Sequence, residues 1–437
     1  MRRLRTAVAA SCVLVLGMGG YGLYAWVAED GRMLLPGRTS DAHYQIEIAC
    51  SACHTPYEGV KQQACLSCHG ARLAAGTDTH PVDMLAPPGP SDPRPTLDAT
   101  RCISCHAEHA PHRTRGVAVT QPPDFCVHCH ADISKERPSH RDFTFTTCAS
   151  AGCHNYHDNT GLQEEHLTAH RREPPVLPRP VVALRERAGP TQVRKTATPP
   201  TLFQQWESSG HARAAVTCPK CHELRETPSS APQWVKHPGP SACVACHKRE
   251  VEGFLGSRHG MRLASGLPPI TPAMARLPMK PAAAAREVTC GSCHTAHVFD
   301  PRPAAVEACL SCHDDEHSRA YSQSPHHTLW RLEMSGQRPP GTGVSCATCH
   351  FPRGVSPDGR KRVLTHHDPS DHLRPVTKML RPVCQHCHGL GFSIDALADP
   401  RLARRNYADR PSRHVPTLDM IDAKVRADEQ QPDQVTR

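Results

Sequence analysis

One five-residue pattern, Cys-x-x-Cys-His, carries most of the chemistry this chain could do. It stands at Cys50-Cys53-His54, Cys65-Cys68-His69, Cys102-Cys105-His106, Cys126-Cys129-His130, Cys218-Cys221-His222, Cys243-Cys246-His247, Cys290-Cys293-His294, Cys309-Cys312-His313, Cys346-Cys349-His350 and Cys384-Cys387-His388. An eleventh copy, Cys148-Cys153-His154, has four residues between its cysteines, and together the copies use 22 of the 23 cysteines. Two cysteines three apart can each add to one of the two vinyl groups of a haem, and the histidine that follows is then held under the iron as its fifth ligand. Zinc sites also use Cys-x-x-Cys pairs, and disulfide frameworks an even cysteine count. Neither needs a histidine directly after the second cysteine, and here all eleven pairs carry one. The pattern therefore reads as eleven covalently attached haem c groups.

Eleven proximal histidines leave 21 of the 32 for the opposite faces of the irons. The ten methionines show no repeated relation to the pattern, so ligation by two histidines and a low potential are expected. His109, His157 and His297 each follow a proximal histidine by three residues. His211, His259 and His326 each end a Ser-x-His element, upstream of the copies at Cys218, Cys290 and Cys346, and read as an internal repeat in which a helix end delivers a histidine to a neighbouring haem. His43, His140 and His367 come next as distal ligands, with His366 competing with His367. His128 and His386 lie inside copies of the pattern and read as surface residues beside a haem.

The elements that position these residues are expected to be short. Only 38% of the residues are hydrophobic and 4% aromatic, and 43 prolines and 28 glycines interrupt regular structure. Side chains alone would suggest disorder. Eleven apolar macrocycles, each tied at three points, supply the missing buried surface, so the fold expected is mostly α with extensive irregular coil, packed around haem, and the chain without haem should not fold stably. The formal charge of +9 falls to about −2 with ferric and about −13 with ferrous haems once propionates are counted. Many arginines are then propionate partners, suited by their planar fork, and nucleic acid is not an expected partner.

Three arginines precede Thr6–Ala28, a run of 23 residues without charge, long enough to span a bilayer. Residues 1–30 are expected to be an uncleaved anchor rather than a signal peptide, because Trp26 and Val27 spoil the small-residue cleavage frames. The positive end would stay cytoplasmic and place the remainder in the bacterial periplasm, at the inner membrane. Residues 43–170 form a pentahaem module, 171–200 a linker with seven prolines, 201–410 a hexahaem module, and 411–437 a disordered tail.

At its haem-binding copies the chain resembles the multihaem cytochromes c, and the long spacing at Cys148 and Cys153 is similar to one known in the small class III cytochromes. The resemblance implies close haem-to-haem packing and electron transport. Residues 309–330, CLSCHDDEHSRAYSQSPHHTLW, resemble a stretch of the hydroxylamine oxidoreductase and octahaem family. In that family a haem site is followed by an acidic residue and a histidine, then Tyr, then Ser-x-His, matched here by Glu316, His317, Tyr321, Ser324 and His326. Glu316 departs from the usual aspartate, and its spacing is one residue shorter. In oxidising members a tyrosine cross-links the catalytic haem, and Tyr407 is the only tyrosine after the last haem site. The first functional expectation is an electron carrier between a quinol or membrane dehydrogenase and a periplasmic redox protein. The second is an oxidoreductase of an inorganic nitrogen compound with one open haem, in which Glu316 and His317 move protons and Tyr407 takes part. A third is a haem-rich conduit partner for an outer-membrane complex.

Overall fold

The computed structural model describes residues 12–21, 35–76, 98–114, 116–136, 140, 156–157, 164–177, 201–225, 229–295, 297–355, 363–374, 376–415 and 417–430. Cys148, Cys153 and His154 lie outside the described residues, as do residues 178–200 of the expected linker.

Glycine- and proline-rich sequence breaks helices early, and the longest described ones, Gln62–Ala75 and Thr417–Gln430, have 14 residues. Strands occur only as three two-stranded antiparallel pairs among the described residues: His54–Thr55 with Gly59–Val60, Glu223–Leu224 with Gln233–Trp234, and Arg353–Val355 with Val363–Thr365. Several haem-attachment copies open a short helix, as in Cys102–Cys105, Cys218–His222, Cys290–Cys293 and Cys346–His350. Residues three apart share one face of a helical turn, so the two sulfurs of a copy point the same way. At Cys346 the turn is closed by a capping box: Thr348 N–H donates to Ser345 Oγ at 3.2 Å and Ser345 N–H to Thr348 Oγ1 at 3.0 Å.

The membrane-spanning helix expected over Thr6–Ala28 is corrected by the structure, since among the described residues no helix is long and apolar enough to cross a membrane. Residues 12–21 of that stretch are helical; at about 1.5 Å per residue they reach about 15 Å, half of the roughly 30 Å of bilayer hydrocarbon. The rest of the stretch lies outside the described residues.

The chain divides into two compact units, Met1–Ser67 with Val82–Ser91 and Thr96–Gln121, and Cys68–Pro81 with Asp92–Pro95 and Pro122–Arg437. In the first, Gln62 ties the start of the third copy in place: its Nε2 donates to Thr100 O at 2.9 Å and its Oε1 accepts from Cys102 N–H at 3.0 Å. In the second, a hydrophobic core of Leu167, Met379, Leu380, Leu390, Ile394, Leu397 and Leu418 surrounds the last copy, with Cys349, Cys384 and Tyr407 packed against it. Leu167 comes from the Glu164–His170 helix, and residues 173–177 run on from it as a strap over the last copy. Leu177 N–H donates to Cys387 O at 2.9 Å and Leu390 N–H to Glu173 Oε2 at 3.2 Å. Gly389 lies so close beneath this strap that a Cβ would collide with the Pro174 carbonyl. Leu418 comes from the Thr417–Gln430 helix, inside the stretch read from sequence as a tail.

Candidate functional site: facing histidine pairs

The three Ser-x-His elements share one local device. Ser209, Ser257 and Ser324 are 3%, 1% and 1% exposed. Ser209 and Ser324 cap the helices Gly210–Arg213 and Pro325–Met334, accepting from Ala212 N–H and His327 N–H, each at 3.2 Å. Ser257 Oγ accepts from His259 N–H at 3.2 Å and donates to Phe254 O at 2.6 Å. Each hydroxyl satisfies backbone groups left over where a helix begins or ends, and so sets the direction of the histidine two residues on.

Those histidines, and four others, face proximal histidines. Ring centres are 6.4 Å apart for His54 and His109, 6.1 Å for His247 and His211, 6.0 Å for His222 and His297, and 6.2 Å for His313 and His259. They are 6.2 Å apart for His294 and His367, 6.0 Å for His350 and His317, and 6.3 Å for His388 and His326. Two imidazoles bound on opposite sides of one metal at about 2 Å each have ring centres about 6 Å apart. The histidine pairs His166–His170 and His366–His372, at 4.4 and 4.9 Å, are too close for that. Of the neighbours His366 and His367, the structure sets His367 opposite a proximal ring.

Tautomers follow from second partners. Nδ1 lies 2.9 Å from Gly37 O for His109, 2.7 Å from Val235 O for His222, 2.6 Å from Ala403 O for His317, 3.0 Å from Thr365 O for His367 and 2.9 Å from Pro175 O for His388. A carbonyl can only accept, so each Nδ1 carries the proton and each Nε2 keeps its lone pair for a metal. Burial also holds His259, His326 and His350 down to about 4, in the neutral form that ligates. In the first unit His43 Nδ1 meets Glu108 Oε1 at 2.7 Å. Burial would raise Glu108, yet bonds from His43 and from Ser40 N–H and Oγ hold it down to about 2.

The pairing skips along the chain. His211, His259 and His326 each pass over the next copy and face the proximal histidine of the one after it, at Cys243, Cys309 and Cys384. His109 and His297 both reach back two copies, and both have a left-handed backbone, with φ of 59° and 69°. His367, expected ahead of the last copy, faces the copy at Cys290. His317, which sequence offered as a catalytic candidate, occupies the same kind of position as the other six facing histidines. Glu316 begins the helix Glu316–Ala320, and Tyr407 packs, as Cys349 and Cys384 do, against the hydrophobic core around Leu390. His157 lies with its carbonyl against Gly76 and its ring 5.1 Å from Tyr156; His140 stands in a one-residue described stretch. His128 lies edge-on to Phe125 at 5.9 Å, and His386 lines the main cavity. His317 follows its proximal histidine by four residues rather than three, which is the signal sequence offered for it. The backbone carbonyl partners had no signal.

In the second unit the sulfurs place the last six copies side by side in chain order. Cys221 lies within electrostatic reach of Cys243 and Cys246, Cys243 in hydrogen-bond contact with Cys290, and Cys293 near Cys309 and Cys312. Cys309 contacts Cys346, and Cys349 lies near Cys384 and Cys387. A cavity of about 2220 Å³ follows the same path, lined by Cys243, Cys290, Cys309, His211, His259 and His367 among others. It exceeds the roughly 300–1,000 Å³ of a small-molecule pocket. Among the described residues no group of three or more metal-binding side chains converges. Paired imidazoles across a gap, one of each pair directly following two cysteines in sequence, fit a macrocycle that would bring further ligands of its own.

Residues 42–131 match the family model of cytochrome c3, a stretch that holds the first four copies. No curated protein and no solved structure matches the chain. The cytochrome c3 match supports a multihaem electron-transfer cytochrome, with covalently attached haem c, in the N-terminal part of the chain.

Proposed function

We propose that the whole chain is an electron-transfer cytochrome carrying eleven haem c groups, in the bacterial periplasm, where it passes electrons between redox partner proteins or from quinol to a periplasmic acceptor. The observation that carries this reading is the set of seven facing histidine pairs with centres 6.0–6.4 Å apart. In it the cysteines of each copy attach a haem, the following histidine is the proximal ligand, and His109, His211, His259, His297, His317, His326 and His367 are distal ligands. His43, with Nδ1 against the Glu108 carboxylate, and His140 and His157 complete the candidate set in the N-terminal part. Haem supplies reversible one-electron chemistry, and two imidazoles keep its potential low. The protein contributes the order of the sites, so that electrons can hop from Cys218 to Cys384 along one string.

Glu316 and His317 do not act as a proton-transfer pair in this reading, because His317 faces His350 and serves as a ligand of the haem at Cys346. The pyridine haemochrome of the purified protein should return close to eleven haems per chain, and bound zinc with no haem would overturn the proposal. Low-temperature EPR of the oxidised protein should be dominated by low-spin ferric signals.

A further inference from the structure

Within the seven facing pairs, His317 differs from the rest in one atom. Its Nδ1 donates to Ala403 O at 2.6 Å, much as His109 and His367 bond Gly37 O and Thr365 O. Its Nε2, however, accepts a hydrogen bond from the Asn406 side-chain amide at 3.1 Å, and the same amide donates to the His317 carbonyl at 3.1 Å. Among the described residues no other Nε2 in the seven pairs is met by a protein donor. The lone pair that Asn406 holds is the one a metal opposite His350 would use, so the two bonds exclude each other. Asn406 and the next residue, Tyr407, both sit in the left-handed region at φ 54°, a strained backbone for an aromatic residue. Tyr407 is kept there by packing against the hydrophobic core around Leu390.

We propose that the haem attached at Cys346 and Cys349 has a displaceable sixth ligand, in which His317 moves between the iron and Asn406 and so opens a binding site for a small neutral diatomic ligand. The proposal rests on the haem-ligation reading above. With haem bound, His317 Nε2 would exchange its bond to the iron for the Asn406 N–H, and the incoming ligand would take the position so freed; no proton or electron would move, because Ala403 O keeps Nδ1 protonated. The side chain that meets this Nε2 is the neutral amide of Asn406, which accepts a small uncharged neighbour at little desolvation cost and does not compensate an ion.

Carbon monoxide is the probe, added to the dithionite-reduced, haem-loaded full chain and followed in the Soret band. Binding is expected at one haem per chain. In His317→Ala the stoichiometry should remain one while binding accelerates, and the oxidised variant should gain a high-spin EPR signal of one haem. In Asn406→Leu, and in the near-isosteric Asn406→Asp should the first not fold, affinity should fall by about five-fold or more, the worth of one buried hydrogen bond. Three results would overturn the proposal: no carbon monoxide uptake by wild type of full haem content, uptake rising to two per chain in His317→Ala, or unchanged affinity in both Asn406 variants. A low haem content in the wild type would instead overturn the ligation reading beneath it.

Discussion

The two ends of the six-copy string solve the same problem in opposite ways. At the Cys218 end the proximal imidazole is oriented locally: His222 Nδ1 bonds Val235 O at 2.7 Å, across a hairpin that begins at the next residue, and Trp234 stacks on its ring at 4.9 Å and 8°. This end is open, with Cys218 exposed, Trp234 61% exposed and Leu224 39% exposed. At the Cys384 end His388 Nδ1 bonds Pro175 O at 2.9 Å, across 213 residues of sequence, and Phe392 stacks at 4.8 Å and 20°. Here the surroundings are the main hydrophobic core, with Leu390 at 0% exposure. An aromatic ring and a backbone carbonyl hold the imidazole at both ends. Whether neighbouring residues or distant ones supply the shell decides how much stability is invested in it.

The sharpest way to break the comparison is to empty the shell at each end. Leu390→Ala should cost about 3 kcal/mol, as large-to-small core substitutions do, whereas Leu224→Ala should stay within about 0.5 kcal/mol; denaturant unfolding of the holoprotein reads both. Equal losses would show that the open end is as integral as the closed one. A smaller effect is expected at the strap. Glu173 Oε2 accepts from Leu390 N–H at 3.2 Å and Oε1 pairs with His170 Nδ1 at 2.8 Å. Glu173→Ala should therefore cost about 1.5–3 kcal/mol, the range for a hydrogen bond to a charged group, and should raise protease sensitivity near residue 177 before it alters the Cys218 end.

The smallest effect concerns pH. His414 bonds Asp395 Oδ2 at 3.1 Å and Asp419 Oδ2 at 3.0 Å, and these two carboxylates raise it above its ordinary 6.5. A group raised in the folded state contributes its stability below the unfolded value and loses it as pH climbs through the folded one. Attachment of the Thr417–Gln430 helix should thus weaken from pH 6 to pH 8, by a modest amount because the pair is exposed. Hydrogen exchange of that helix should follow, and His414→Gln should flatten the slope. Thermal unfolding monitored at Trp234 should show no matching change.

The same contrast explains what was legible. The Ser-x-His elements could be recognised before any coordinates, because a capped helix end is a matter of a few neighbouring residues, and Ser209, Ser257 and Ser324 do that work. Their targets could not, since each histidine passes over the adjacent copy. The membrane span expected at Thr6–Ala28 rested on absence of charge alone, whereas crossing a bilayer needs a continuous apolar helix, which the described residues do not form. The strap at residues 173–177 looked like part of a linker because its prolines suit an extended chain. An extended segment without regular structure still offers carbonyls, and His388 uses one.

Sequence by itself determined where the eleven Cys-x-x-Cys-His copies stand and which histidine follows each cysteine pair, because the proposed attachment needs only a short run of consecutive residues. It also indicated that distal ligands would be histidines, from their surplus. Only the tertiary structure decided which histidine faces which, that His317 stands opposite His350 with Asn406 at its lone pair, and that the last six sites line up in chain order. The reason is geometric: the two faces of a macrocycle are reached by segments tens of residues apart, and which of them meet depends on how the short helices between them pack.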